Sequence, residues 1–168
     1  MTMSARARKA TLTAHVAVSV GWIGAVVVYL VLGVTAITSE SIQTVRAVWL
    51  AMEAAGWFAI VPLALTSLGT GLIMALGTRW GLFRHYWVLI SFLLTLLSAV
   101  VLVLHMPTVS TQAALAQQSE GAALEALGGD LAHPGVGLVI LLTIQALNMY
   151  KPRGMTRYGW RKQQGKSD

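Results

Sequence analysis

Four histidines, His15, His85, His105 and His133, carry most of the chemistry this chain can offer. Imidazole is the side chain whose ordinary pKa lies nearest neutrality, and it is a common donor to zinc, copper and haem iron. His85 and His105 stand twenty residues apart, about 30 Å along a straight helix, so they cannot share one ion. Two pairs remain, His15 with His85 and His105 with His133, and either could hold a b-type haem between helices. His105 and His133 with Glu53 also offer two nitrogens and a carboxylate oxygen, a donor set suited to copper or zinc, with the thioethers of Met52 and Met106 nearby.

Other chemistries find little support. The chain has no cysteine, which removes disulfides, thiolate catalysis and cysteine metal sites. No nucleophile motif, phosphate-cradling glycine loop or HExxH pattern is present, and Glu53 lacks a second carboxylate for paired acid and base work. An enzyme acting alone is not expected.

The histidines must be positioned by apolar helices. Of 168 residues, 56% are hydrophobic and only 11% charged, against about 25% charged in a typical soluble domain. Four stretches are long enough to cross a hydrocarbon core, which takes about 20 apolar helical residues. They run from about Leu12 to Ile37, Val48 to Gly77, Tyr86 to His105 and Pro134 to Tyr150. Backbone polar groups in lipid must be satisfied within the segment, so these runs should be helices. The expectation is an all-α, up-down-up-down four-helix transmembrane bundle forming a single domain over 1–168. The first helix is too long for a signal-peptide apolar region and is expected to be retained.

Charge gives the orientation. Arg6, Arg8, Lys9, Arg79, Arg84, Lys151, Arg153, Arg157, Arg161, Lys162 and Lys166 fall at segment ends on one side, and only Arg46 on the other. Lys and Arg accumulate on the cytoplasmic side of a membrane, so both termini are predicted to be cytoplasmic. Glu40, Glu53, Glu120, Glu125 and Asp130 fall on the outer side. His15 and His85 then lie at the inner boundary, His105 and His133 at the outer one. A net charge of +6 could suggest nucleic acid, but the cations are split among three juxtamembrane segments, which fits topology and anionic lipid headgroups instead.

Helical phase separates the two pairs. At about 100° per residue, Ser91, Thr95, Ser98 and His105 share one face of the third helix while His85 points nearly the opposite way. A polar stripe in lipid normally faces the bundle interior, so His105 is the better inward candidate and His85 is expected among headgroups. His15 shares a face with Ser19 and Trp22 and could also turn inward.

Four further features shape the expectation. Pro62 should kink the second helix. Small residues at four-residue spacing, Gly21 with Ala25, Ser67 with Gly71 and Gly71 with Ala75, mark places where helices can pack closely. The outer connection, 107–132, is Ala-rich from Thr111 to Leu127 and predicts either a short outer helix or an extension of the third span past Pro107, and either could form a lid over the outer end of the bundle. The basic, aromatic tail, 151–168, is broken by Pro152 and Gly154 and suits the headgroup layer.

Five segments carry a resemblance: His15-Val-Ala-Val-Ser-Val-Gly-Trp-Ile-Gly, Gly56-Trp-Phe-Ala-Ile-Val-Pro-Leu, Gly81-Leu-Phe-Arg-His-Tyr-Trp-Val, Leu104-His-Met-Pro-Thr-Val-Ser and Tyr150-Lys-Pro-Arg-Gly-Met-Thr-Arg-Tyr-Gly. Together they resemble a family of small bacterial integral membrane proteins of unknown function. The resemblance implies four transmembrane helices in the bacterial cytoplasmic (inner) membrane and no activity. The arrangement is also distantly similar to the membrane domain of copper-resistance protein D, which assigns no residue here a role. Three functions stay open: a metal- or haem-binding membrane module, a non-catalytic subunit or scaffold packing against itself or a membrane partner, and small-solute transport by an oligomer.

Overall fold

The computed structural model describes residues 3–78, 80–119 and 127–164. Arg79, Glu120, Glu125 and Lys166, which enter the charge count, lie outside the described residues, as does part of the Ala-rich stretch. Among the described residues every regular element is a helix, and four are long and apolar enough to cross a membrane.

Helix α1, Ala5–Thr38, begins seven residues earlier than the apolar run alone implies, because Ser4 supplies a cap, its hydroxyl accepting from the Ala7 N–H at 3.3 Å. Its 34 residues reach about 51 Å, well beyond a hydrocarbon core of about 30 Å. The buried residues Trp22, Val26, Tyr29, Gly33 and Ala36 alternate steps of four and three. That spacing forms the narrow seam of a helix packed along a bundle. Val16, Val20, Val27, Val28, Val31 and Val34 point outward and are exposed, as an apolar solvent requires and water would not favour.

The second span is built from α2, Ile42–Ala55, one π-helical turn, Gly56–Ile60, and α3, Val61–Gly77. Pro62 has no N–H to give to the preceding turn. The chain accommodates it with a wider turn, in which the Val61 N–H donates to the Gly56 carbonyl, a local adjustment that π-bulges often make. Gly56 is also a packing point, since a Cβ there would overlap the thioether of the buried Met106.

Helix α4, Tyr86–Gln118, continues through Pro107 for three further turns. Of the two outcomes expected for the outer connection, the extension is the one present over the described residues. Ala-rich propensity sustains it, and Arg46 secures its end: Nε donates to the Ala116 carbonyl at 3.1 Å and a guanidinium NH2 to that of Ser119 at 2.7 Å. A cation at a helix C-terminus meets both the orphan carbonyls and the negative end of the dipole.

Helix α5, Ala132–Tyr150, has Leu141 as its one buried residue. It ends at Lys151, which adopts the left-handed conformation at φ 44°. The tail then folds back. Thr156 donates its N–H to the Arg84 carbonyl at 3.0 Å, and Gly154 accepts from the Tyr86 N–H at 3.4 Å. The Thr156 hydroxyl accepts from the Gly159 N–H at 3.1 Å, opening the short helix α6, Arg157–Gln164. The basic tail is therefore anchored on the connection between α3 and α4, with Tyr158 and Trp160 exposed.

Candidate metal centre

Asp130 reaches its place through a backbone contact. Gly128 turns the chain at φ 57°, a conformation that suits glycine. Gly129 then lies so close to the Gly33 carbonyl of α1 that neither position has room for a side chain; a Cβ on Gly33 would sit 2.9 Å from the Asp130 carbonyl oxygen. Pressed against α1, Asp130 turns its carboxylate toward α4 and the first turn of α5.

Three side chains converge on that carboxylate. His105 Nε2 donates to Oδ2 at 2.7 Å, and the Tyr29 hydroxyl donates to the same oxygen at 3.4 Å. His133 Nδ1 stands 3.4 Å from Oδ1. A carboxylate only accepts, so Nε2 of His105 carries its proton in this arrangement. The two imidazoles stack at 3.7 Å between centroids, 22° from parallel. Asp130 is only 11% exposed and His105 17%, whereas His133 is 54% exposed. The half-exposed ring is the one with freedom to turn.

His105, Asp130 and His133 each present one ligand atom, and the three lie within 4.8 Å of one another. Ligand atoms bonded at about 2.0–2.2 Å to one tetrahedral ion lie about 3.3–3.6 Å apart, so the three side chains would have to draw together to hold one. Two nitrogens and one oxygen are a donor set for zinc or copper, and three protein ligands leave a fourth position open. The three side chains also line a cavity of about 460 Å³, together with Trp22, Val26, Ile60, Leu97, Leu102 and Leu141. Ser98 lies in the same wall with a buried hydroxyl that has no partner among the described residues.

The expected residues separate into those the fold gathers and those it does not. His105 and His133 meet, as their shared side predicts. Glu53 is half-buried on α2 and is not in the three-residue group. The third member of the group is Asp130, and its signal in the sequence is Asp130-x-x-His133 directly after Gly128-Gly129. Stacked face to face, His105 and His133 do not oppose their nitrogens across an intervening iron, so this arrangement does not suit bis-histidine haem ligation.

The other two histidines take separate partners. Thr70 spends its single hydroxyl proton on backbone carbonyls, at 2.7 Å from Thr66 O, so His15 Nδ1, 3.0 Å from Thr70 Oγ1, is the donor in that contact. His85 Nδ1 donates to the Trp80 carbonyl at 2.7 Å, and its ring packs among Trp80 and Trp87. His85 is thus held in an aromatic cluster on the connection between α3 and α4. Comparison with protein-family models, with curated proteins and with solved structures finds no match for this chain.

Proposed function

We propose that this chain is a multi-pass protein of the bacterial cytoplasmic membrane that binds a divalent transition metal, zinc or copper, at the outer end of its bundle. The observation that carries the reading is the convergence of His105, Asp130 and His133 within 4.8 Å on an apolar cavity. Ionisable groups of this kind inside a membrane bundle are rare unless they serve a function. Up-down-up-down topology with both termini inside is supported by the distribution of Lys and Arg. The cross-pairing of α1 with α3, His15 to Thr70 and Ser19 to Ser67, supports it as well. The tail helix α6, with Arg157, Arg161 and Lys162 beside Tyr158 and Trp160, suits anionic headgroups at the inner surface.

In this reading the chain's own groups do defined work. Asp130 supplies charge as a carboxylate and orients His105, whose Nε2 proton an ion bound at that nitrogen would displace. The Tyr29 hydroxyl holds the carboxylate from behind, the role that outer partners of metal ligands commonly fill. The bound ion would supply a Lewis-acidic position facing the cavity. Equilibrium dialysis of detergent-purified protein against zinc or copper tests the reading. A single ion per chain is expected for the natural sequence, with a loss of affinity of about 100-fold or more in Asp130→Asn or His105→Ala, above the usual effect of outer-shell changes. Equal binding in these variants would overturn it.

A further inference from the structure

The bundle holds a second cavity, of about 580 Å³, at the end away from Asp130. It meets the first at Trp22 and Leu141, which wall both. Its chemistry changes with depth. Arg8, Lys9 and Lys151 stand at its mouth, and no acidic side chain lines it among the described residues. A polar belt follows. Ser19 and Ser67 bond to each other at 2.8 Å, Gln145 and Asn148 face them from α5, and His15 is fixed by Thr70. Ser91 contributes a hydroxyl that is fully buried and has no partner among the described residues, although a buried hydroxyl normally finds one. The floor, Trp22, Phe92 and Leu141, is apolar.

We infer that this cavity binds the headgroup and upper acyl chain of an anionic phospholipid from the cytoplasmic leaflet. The inference rests on the membrane orientation proposed above and not on the metal centre. Three cations without a carboxylate select a phosphate; the belt offers hydroxyl and amide groups to headgroup oxygens; the aromatic and aliphatic floor takes the chain. A zwitterionic lipid would bring a cation to the basic mouth. Free phosphate would leave the floor unfilled. Basic pockets between helices on the cytoplasmic side are a recognised setting for such headgroups, and the cavity volume falls in the range of about 300–1,000 Å³ usual for ligand sites.

Native mass spectrometry of the full chain in mild detergent, titrated with phosphatidylglycerol or phosphatidylcholine, tests this. One phosphatidylglycerol per chain is expected, held markedly tighter than phosphatidylcholine. The double variant Lys9→Gln/Lys151→Asn removes two mouth charges, and Asn keeps the left-handed cap. It should weaken phosphatidylglycerol binding about 30-fold. Arg161→Gln/Lys162→Gln on α6 should change it less than about threefold, being on the tail rather than at the mouth. Ser91→Val, which fills the belt, should weaken binding even if the mouth variant unfolds. Equal retention of both lipids, or loss of binding only in the α6 variant, would overturn the inference. So would thermal stabilisation by inorganic phosphate matching that by phosphatidylglycerol. None of these outcomes depends on whether metal binds at Asp130.

Discussion

The Gly33 carbonyl of α1 occupies the space that a side chain on Gly129 would need, and this contact delivers Asp130 to His105. A site that joins three segments distant in sequence thus depends on the absence of two side chains. Gly129→Ala should push the segment off α1, costing about 1–3 kcal/mol in stability, as overpacking does, and lowering zinc affinity by about tenfold or more. Thermal unfolding and zinc titration on the same preparation would separate the two effects. Unchanged zinc affinity in a folded variant would show that the glycine contact does not position Asp130.

Tyr29 approaches Asp130 from behind at 3.4 Å, a long hydrogen bond and so a weak one. Tyr29→Phe should therefore lose less than about 1 kcal/mol in stability. It should reduce metal affinity by about tenfold, the lower limit for outer partners of metal ligands. A collapse of binding equal to that in Asp130→Asn would instead make the tyrosine a ligand.

Gly56 and Met106 meet at the π turn, where a Cβ would overlap the thioether. Gly56→Ala should cost about 1–3 kcal/mol. Met106→Ala leaves a cavity of its own, yet it makes room for the new methyl group, so the double variant should be more stable than the sum of the single losses implies. Strict additivity in unfolding from mild detergent would contradict the contact.

Arg46 closes the far end of α4 through two carbonyls. Arg46→Gln should destabilise by about 1 kcal/mol, given its partial exposure and a dipole contribution of about 0.3–1 kcal/mol. The loss should be local. Amide exchange should accelerate over residues 112–118 while the seam of α1 stays protected; acceleration throughout the bundle would contradict a capping role.

The spans were legible because four apolar runs have no other stable form in lipid. Their ends were less so. Ser4 extends α1, and Ala-rich propensity carries α4 through Pro107, outcomes set by caps and by Arg46 across the bundle. The π turn answers two constraints together, Pro62 in its own chain and Met106 on α4, and only the first can be read locally. Among the site residues, the phase of Ser91, Thr95, Ser98 and His105 pointed inward as the cavities show. Asp130 was harder to place, since its partners are 25 and 101 residues away and a glycine contact aligns them. Glu53 lies on α2, outside the group that His105, Asp130 and His133 form.

Copper(II) electron paramagnetic resonance on the purified chain bears most directly on the metal centre. A single tetragonal signal with nitrogen hyperfine structure from two imidazoles is expected, reduced to one nitrogen in His133→Ala and abolished in Asp130→Asn/His105→Ala. Only the spectrum of loosely bound copper in the natural chain, or a two-nitrogen signal that persists in the double variant, would contradict it.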